Sequence, residues 1–362
     1  MVCRLLFLIM CFTCLPSQAI AQNVRMLDAK LMEAVRIMIS KPEGDILRTD
    51  VKDLTFLLAS SGDIRSLVGI DQLPSLTHVD LASNQIEDLS PLSTLTEMQW
   101  IKLRNNNLQN LAPLASLTKL VHLDLTENEI SDLSPLTWLT ELTWLGLGIN
   151  QVSDVTHLSK LEKLKELHLE QNEVSNLQPL VGLNSLTHLD LSLNQITGIP
   201  AIGQLTSLTW LNLTKNRIID IFPLYSLSSL EWASLSYNYI GDLTPLANLT
   251  SLEYLALEGN QLADISPLGG ITGLTYLNLN FNWVVELSPL ANLTGLRELL
   301  LRENGINDIN PILANSGLAE GDVVDLLDNP LESVEIMGQL EALKERGVDV
   351  GYFKVPMRPI EE

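Results

Sequence analysis

"LVHLDLTENEISDLSPL", residues 120–136, spaces its apolar side chains around one asparagine, Asn128. With Asn128 as position zero, apolar residues stand at −8, −5, −3, +2, +5, +8 and +11: Leu120, Leu123, Leu125, Ile130, Leu133, Leu136 and Leu139. The arrangement returns every 22 residues, with asparagines at Asn84, Asn106, Asn128, Asn150, Asn172, Asn194, Asn216, Asn238, Asn260, Asn282 and Asn304. Gly62 occupies the same place one period earlier, and Asn329 follows Asn304 by 25 residues, three more than the period. Internal repetition of this kind decides architecture before any short motif does.

Seven apolar residues in each 22 are more than one turn of chain can hide. Stacked turns bury them against each other, and at roughly 1.5–3 kcal/mol per buried aliphatic side chain the stack folds as a unit. The L-x-L at −5 and −3 has the period of a short strand, parallel to its copies above and below. The asparagine turns inward, where its amide must satisfy backbone groups, because an unpaired buried amide costs a few kcal/mol. Proline at +7 (Pro91, Pro113, Pro135, Pro179, Pro223, Pro245, Pro267, Pro289, Pro311) permits only an extended or single-turn return, so short 3₁₀ segments are expected outside. The fold class that follows is an α/β solenoid, an arc or horseshoe with a parallel concave β-sheet and a short 3₁₀ or extended convex side.

L-x-x-L-x-L-x-x-N-x-L is the leucine-rich repeat pattern. With "NQIEDLSPL" (84–92) and "NEISDLSPL" (128–136), the chain resembles the short bacterial repeats of the internalin type and the related phosphatase-regulator class, over about residues 28–351. The resemblance is specific for fold and poorly specific for function, because members differ in what they bind. His157 and Ala201 replace the proline and Ala233 replaces a strand leucine, which predicts local loosening near the turn of Asn238. Both open ends of the stack need caps. "DAKLMEAVRIMIS" offers Asp28 as N-cap and a face of Leu31, Val35 and Met38, and it also looks like the helical cap of internalin-type proteins. Residues 333–346 read as an amphipathic helix with Ile336, Leu340 and Leu343 in a stripe, ended by Gly347, after which "VDVGYF" offers a last strand.

Residues 1–21 read as a signal peptide: Arg4, an apolar run from Leu5 to Leu15, and Ala19-Ile20-Ala21 before Gln22. Cys3, Cys11 and Cys14 all lie inside it, so the exported chain carries no disulfide; lipidation at Cys14 fits poorly with Thr13 before it. No later run is long and apolar enough to span a membrane. The expected division is a leader at 1–21, an N-terminal helical cap at 22–50, repeats at 51–315, a last irregular repeat and C-terminal cap at 316–351, and a tail at 352–362. The expected location is secreted, periplasmic or in the cell envelope. Losing Arg4 takes the formal charge from −22 to −23, which argues against nucleic acid and anionic membranes as partners.

In "LTWLGLGINQ", residues 142–151, the two glycines fall at −4 and −2 and belong to a strand rather than a phosphate loop, which would need a third glycine and a following helix. Trp144 stands at −6, a position whose side chain points out from the concave sheet. That column reads His78, Trp100, His122, Trp144, Glu166, His188, Trp210, Trp232, Tyr254, Tyr276 and Glu298. Neighbours about 4.8 Å apart could stack as a continuous strip of roughly 50 Å. Such a strip either binds a partner or only stabilises the sheet; exposed aromatic patches commonly mark binding sites. A second rail at −1 holds Ile149, Leu193, Tyr237 and Phe281, with Tyr239 and Trp283 two residues further on from the last two. The candidate partner-binding residues are therefore Trp100, Trp144, His188, Trp210, Trp232, Tyr237, Tyr254, Tyr276, Phe281 and Trp283, richest in the C-terminal half. Gly146 and Gly148 are expected to leave a hollow beside Trp144 that admits a small group of a partner.

Glu166, His168, Glu170, His188 and Asp190 form a weak candidate cation site on adjacent strands, with a solvated polar face as the commoner outcome. Acids at +4 (Asp88, Asp132, Asp154, Asp220, Asp242, Asp264, Glu286, Asp308) are placed to bond turn amides and say little about a partner. The Asn248 and Asn292 triplets are by-products of the repeated "ANLT". With no cysteine after the leader, no G-x-S-x-G and histidines scattered on an open face, no enzymatic function and no cofactor are expected. A protein ligand is the favoured partner, with a glycan-binding module and a structural envelope component without ligand as the alternatives.

Overall fold

The computed structural model describes residues 23–331 and 333–352. The leader expected at 1–21, its three cysteines and the tail beyond Tyr352 lie outside the described residues.

Fourteen three-residue strands among the described residues, from β1 (Phe56–Leu58) to β14 (Asp349–Gly351), form one parallel sheet ordered as in the sequence. The repeat length sets the register: His122 pairs with Trp144, and Trp144 with Glu166. The three extra residues before Asn329 are taken up ahead of β13 (Val323–Asp325), where Val323 still pairs with Glu298. The middle residue of each strand points inward, so Leu123, Leu145 and Leu167 have no exposed surface and join one core that runs the length of the stack. Opposite the sheet, 3₁₀ turns such as Ser90–Leu92 and Ser134–Leu136 begin on Ser-Pro, as the proline spacing predicts.

The asparagines hold successive turns together. Asn128 Nδ2 donates to the carbonyls of Leu125 at 2.9 Å and Thr126 at 3.2 Å in its own turn, and to that of Leu103 in the turn before at 3.1 Å. Its Oδ1 accepts from the Leu108 amide at 3.0 Å. The half-buried amide is thus satisfied at both its nitrogen and its oxygen. The residue before each asparagine has a left-handed backbone, among them Glu127 (φ 57°), Ile149 (φ 54°) and Tyr237 (φ 56°). The +4 aspartates cap the outer turns: Oδ1 of Asp132 accepts from the Ser134 amide at 2.8 Å, and Asn110 and Asn176 serve equally in their turns.

The loosening expected around Ala233 does not occur. β9 (Trp232–Ser234) pairs in register on both sides, and Ala233 is fully buried. His157 keeps its 3₁₀ turn at Thr156–Leu158, whereas Ala201 shifts the turn to Ile202–Gln204. At the N-terminal end, Asp28 caps α1 (Ala29–Met38) by accepting from Lys30 and Leu31. Its other oxygen accepts from the amides of Arg65 at 2.8 Å and Ser66 at 3.3 Å, tying the cap to the first turn. The short α2 (Arg48–Val51) follows before β1; at the other end, after the short α3 (Asn310–Ala314), α4 (Val334–Glu345) is capped by Ser333 and buries Ile336, Leu340 and Leu343. Gly347 (φ 86°) then turns the chain into β14.

Candidate binding surface

Rings at −6 lie side by side because their strands pair without slip. At the N-terminal end, the centroids of His78 and Trp100 are 6.3 Å apart, those of Trp100 and His122 4.9 Å, and those of His122 and Trp144 4.2 Å. Phe56 extends this ladder, 4.5 Å from His78. The sequence carries the signal for it, since Phe56 stands six residues before Gly62 as His78 does before Asn84. A second ladder runs through β7 (His188–Asp190), β8 (Trp210–Asn212), β9, β10 (Tyr254–Ala256) and β11 (Tyr276–Asn278). Its spacings are 6.3 Å for His188–Trp210, 4.4 Å for Trp210–Trp232, 4.7 Å for Trp232–Tyr254 and 4.1 Å for Tyr254–Tyr276.

The strip is not continuous. Glu166 interrupts it, and Trp144 instead leans toward His168, at −4 on β6 (Glu166–His168), with centroids 5.1 Å apart and planes tilted by 38°. Apart from Phe56 at the open end, which is exposed, the rings are half-buried, because each covers the face of its neighbour. Stacking and presentation therefore coexist: faces are spent on the ladder, and ring edges meet solvent.

The hollow expected beside Trp144 is filled. A Cβ on Gly146 would stand 2.6 Å from Trp144 Cη2 and 2.8 Å from its Cζ3, and one on Gly148 would collide with the Glu170 carboxyl. The two glycines make room for these neighbouring side chains. Trp144 thereby sits between His122 and His168. Burial pushes Glu170 up to about 7, with Asp190 adding to the effect and Arg104 opposing it. Burial holds His122 down to about 4 and lowers His168, against the pull of nearby acids. Nε2 of His122, Nε2 of His168 and Oε2 of Glu170 are buried without a hydrogen-bond partner among the described residues.

The cation-site candidates do not converge on one point. His168 Nε2 stands 3.9 Å from Glu166 Oε2, too far for a hydrogen bond, and His188 Nδ1 is 2.9 Å from Thr187 Oγ1. Asp190 accepts from the Ser192 amide at 2.9 Å and from Asn212 Nδ2 at 3.1 Å. Among the described residues no group of three or more His, Cys, Asp or Glu side chains is placed to hold a metal ion.

On the rim at −1, Leu193, Tyr237 and Phe281 are exposed, and Ile149 is half-buried. The Tyr237 hydroxyl donates to Glu258 Oε1, and this hydrogen bond, more than burial, pushes it up to about 12. A Cβ on Gly259 would stand 2.7 Å from the Tyr237 ring, so the glycine keeps that ring's place open. Trp283 and Tyr239, at +1, stand past the asparagine on the flank of the stack and are exposed. The structure thus gathers His188, Trp210, Trp232, Tyr254 and Tyr276 into one ladder, leaves Trp100 and Trp144 in the other, and sets Trp283 apart from both.

Leucine-rich repeat models match residues 162–218 and 72–89, and a two-copy leucine-rich repeat model matches 96–138 and 228–270. An internalin, inlF, of Listeria monocytogenes is 31% identical and superposes with a TM-score of 0.85 over 91% of this chain and 96% of its own. The chain belongs to the internalin-like leucine-rich repeat proteins. A leucine-rich repeat protein of Leptospira interrogans, 24% identical, shares the fold at a TM-score of 0.73 over 78% of this chain and 74% of its own. So does the plant peptide hormone receptor RGFR1, solved in complex with RGF2, at 19% identity and a TM-score of 0.64 over 82% of this chain and 50% of its own. No curated protein matches by sequence.

Proposed function

We propose that the chain is an exported, non-enzymatic recognition module that holds a protein partner along its C-terminal ladder, from His188 to Tyr276. The observation that carries this is the run Trp210, Trp232, Tyr254, Tyr276, whose successive planes lie within 5–11° of parallel, beside the exposed Tyr237 and Phe281. Edge-on aromatic rows with an exposed rim supply large, rigid contact area at low entropic cost, as protein interfaces do. A glycan is less suited, because sugar stacking needs a free ring face and the ladder covers its own. The complex of RGFR1 with RGF2 supports a binding role for the fold at large. No helix among the described residues is long and apolar enough to cross a membrane.

The test is capture from the envelope fraction of an exporting cell by the chain spanning residues 22–362 and by its Trp210→Ala/Trp232→Ala variant. A protein held by the first and lost by the second supports recognition. No specific capture by either would leave a structural envelope component as the better account.

A further inference from the structure

A groove on the flank of the stack lies apart from both ring ladders. On the turn of Asn216, positions +3, +6 and +9 carry Ile219, Phe222 and Tyr225; the six preceding turns carry Glu, Gln, Ser or Thr at +3. All three side chains stand in water, 67%, 63% and 60% exposed, and the Phe222 and Tyr225 rings stack 5.3 Å apart. Tyr239, on the next turn, forms the opposite wall, and Gly241 opens the floor: a Cβ there would meet only the Gln261 carbonyl, at 3.8 Å. The space between measures about 790 Å³. A fold with so full a leucine core has no packing need to leave four large apolar side chains together on its surface.

Charge narrows the occupant. The +4 acids by themselves only cap turns, but here two of them, Asp220 and Asp242, border the apolar groove, and among the described residues no lysine or arginine lines it. Each acid gives one oxygen to a turn amide, that of Phe222 at 2.7 Å and that of Thr244 at 2.8 Å. Hydrogen bonds from Thr244 hold Asp242 below the usual carboxylate range, so it stays charged. We propose that this groove binds an extended peptide segment of a protein partner that presents a large apolar side chain within a few residues of a lysine or arginine. Two carboxylates favour such a cation over the neutral hydroxyls of a sugar, since a hydroxyl can only donate a hydrogen bond to them whereas a lysine or arginine adds the attraction of opposite charge. The groove shares no residue with the concave ladder, so each site stands or falls alone.

A random dodecapeptide library displayed on phage, panned on the chain and counter-selected on its Gly241→Lys variant, tests the proposal. Gly241→Lys fills the floor and offsets one of the two negative charges without touching the core. The expected result is enrichment of sequences pairing a large apolar residue with Lys or Arg. The enriched peptide should bind at least tenfold more weakly to Phe222→Ala/Tyr225→Ala and severalfold more weakly to Asp220→Asn/Asp242→Asn, and unchanged to Trp210→Ala/Trp232→Ala. The asparagine variant folds as the native chain does, because Asn110 and Asn176 already occupy that position and make the same bond. No enrichment over the counter-selection, enrichment of acidic peptides, or saturable binding of chitohexaose that the peptide does not displace would overturn it.

Discussion

The indole of Trp144 lies over Gly146, two residues further along its own strand, with Cη2 2.6 Å from the point where a Cβ would begin. That vacancy lets the ring lean from His122 toward His168 and fixes where the first ladder ends. Gly146→Ala should force the indole out, with Thr126 Oγ1, 2.9 Å from the same point, blocking the other way. A loss of about 1–3 kcal/mol, the usual cost of overpacking, is expected in denaturant unfolding, together with a shift in tryptophan emission. Unchanged stability and emission would show that the ring has another resting place.

Asn238 is 4% exposed and donates to the carbonyls of Leu213, Leu235 and Ser236 while accepting from the Ile218 amide. Asn238→Ala strands all four backbone groups. Each orphaned buried group costs about 1–3 kcal/mol, so the variant should lose about 4 kcal/mol or more, measured by urea denaturation. A loss below about 1 kcal/mol would mean that water replaces the amide.

Ile149 is β-branched yet holds φ at 54°, where such residues are strained, while Gly259 fills the same place in a later turn. Ile149→Gly should therefore stabilise the fold, or at worst leave it unchanged, despite removing apolar surface; relief of strain of this kind is worth about 1–3 kcal/mol. A clear drop in the unfolding midpoint would assign Ile149 a packing role that outweighs its backbone.

Glu170 and His122 give stability opposite slopes with pH. Burial raises the Glu170 carboxyl from 4.5 to about 7. The folded chain therefore holds this proton more tightly than the unfolded chain, and the group's contribution is full below pH 4.5 and lost as pH rises to 7. His122, held at about 4 against an ordinary 6.5, loses its contribution as pH falls from 6.5 through 4. Glu170→Gln should raise the urea midpoint at pH 8 and leave it unchanged at pH 4.5. An equal change at both values would remove Glu170 titration as the cause.

The fold was legible because one period fixes it twice. The 22-residue spacing sets both the strand register and the asparagine ladder, so buried and outward columns follow from counting. What escaped counting depends on how one side chain leans past its own column. The turn of Trp144 toward His168, and the Glu170 carboxyl over Gly148, arise because glycines vacate −4 and −2, and a column list treats each offset as independent. The flank groove was missed for a related reason: those outer positions were read for their acids, although Ile219, Phe222 and Tyr225 break the polar habit of the preceding turns together.

The most direct measurement is the affinity of a captured envelope protein for the Trp210→Phe/Trp232→Phe variant, with thermal unfolding beside it. Phenylalanine keeps the stacked faces and removes the indole edges. Affinity should fall at least tenfold, about 1.4 kcal/mol, while unfolding stays within about 2 °C of the parent. Unaltered affinity, or a weakening matched by a large fall in unfolding temperature, would contradict recognition by the ladder and leave the rings as a brace for the sheet.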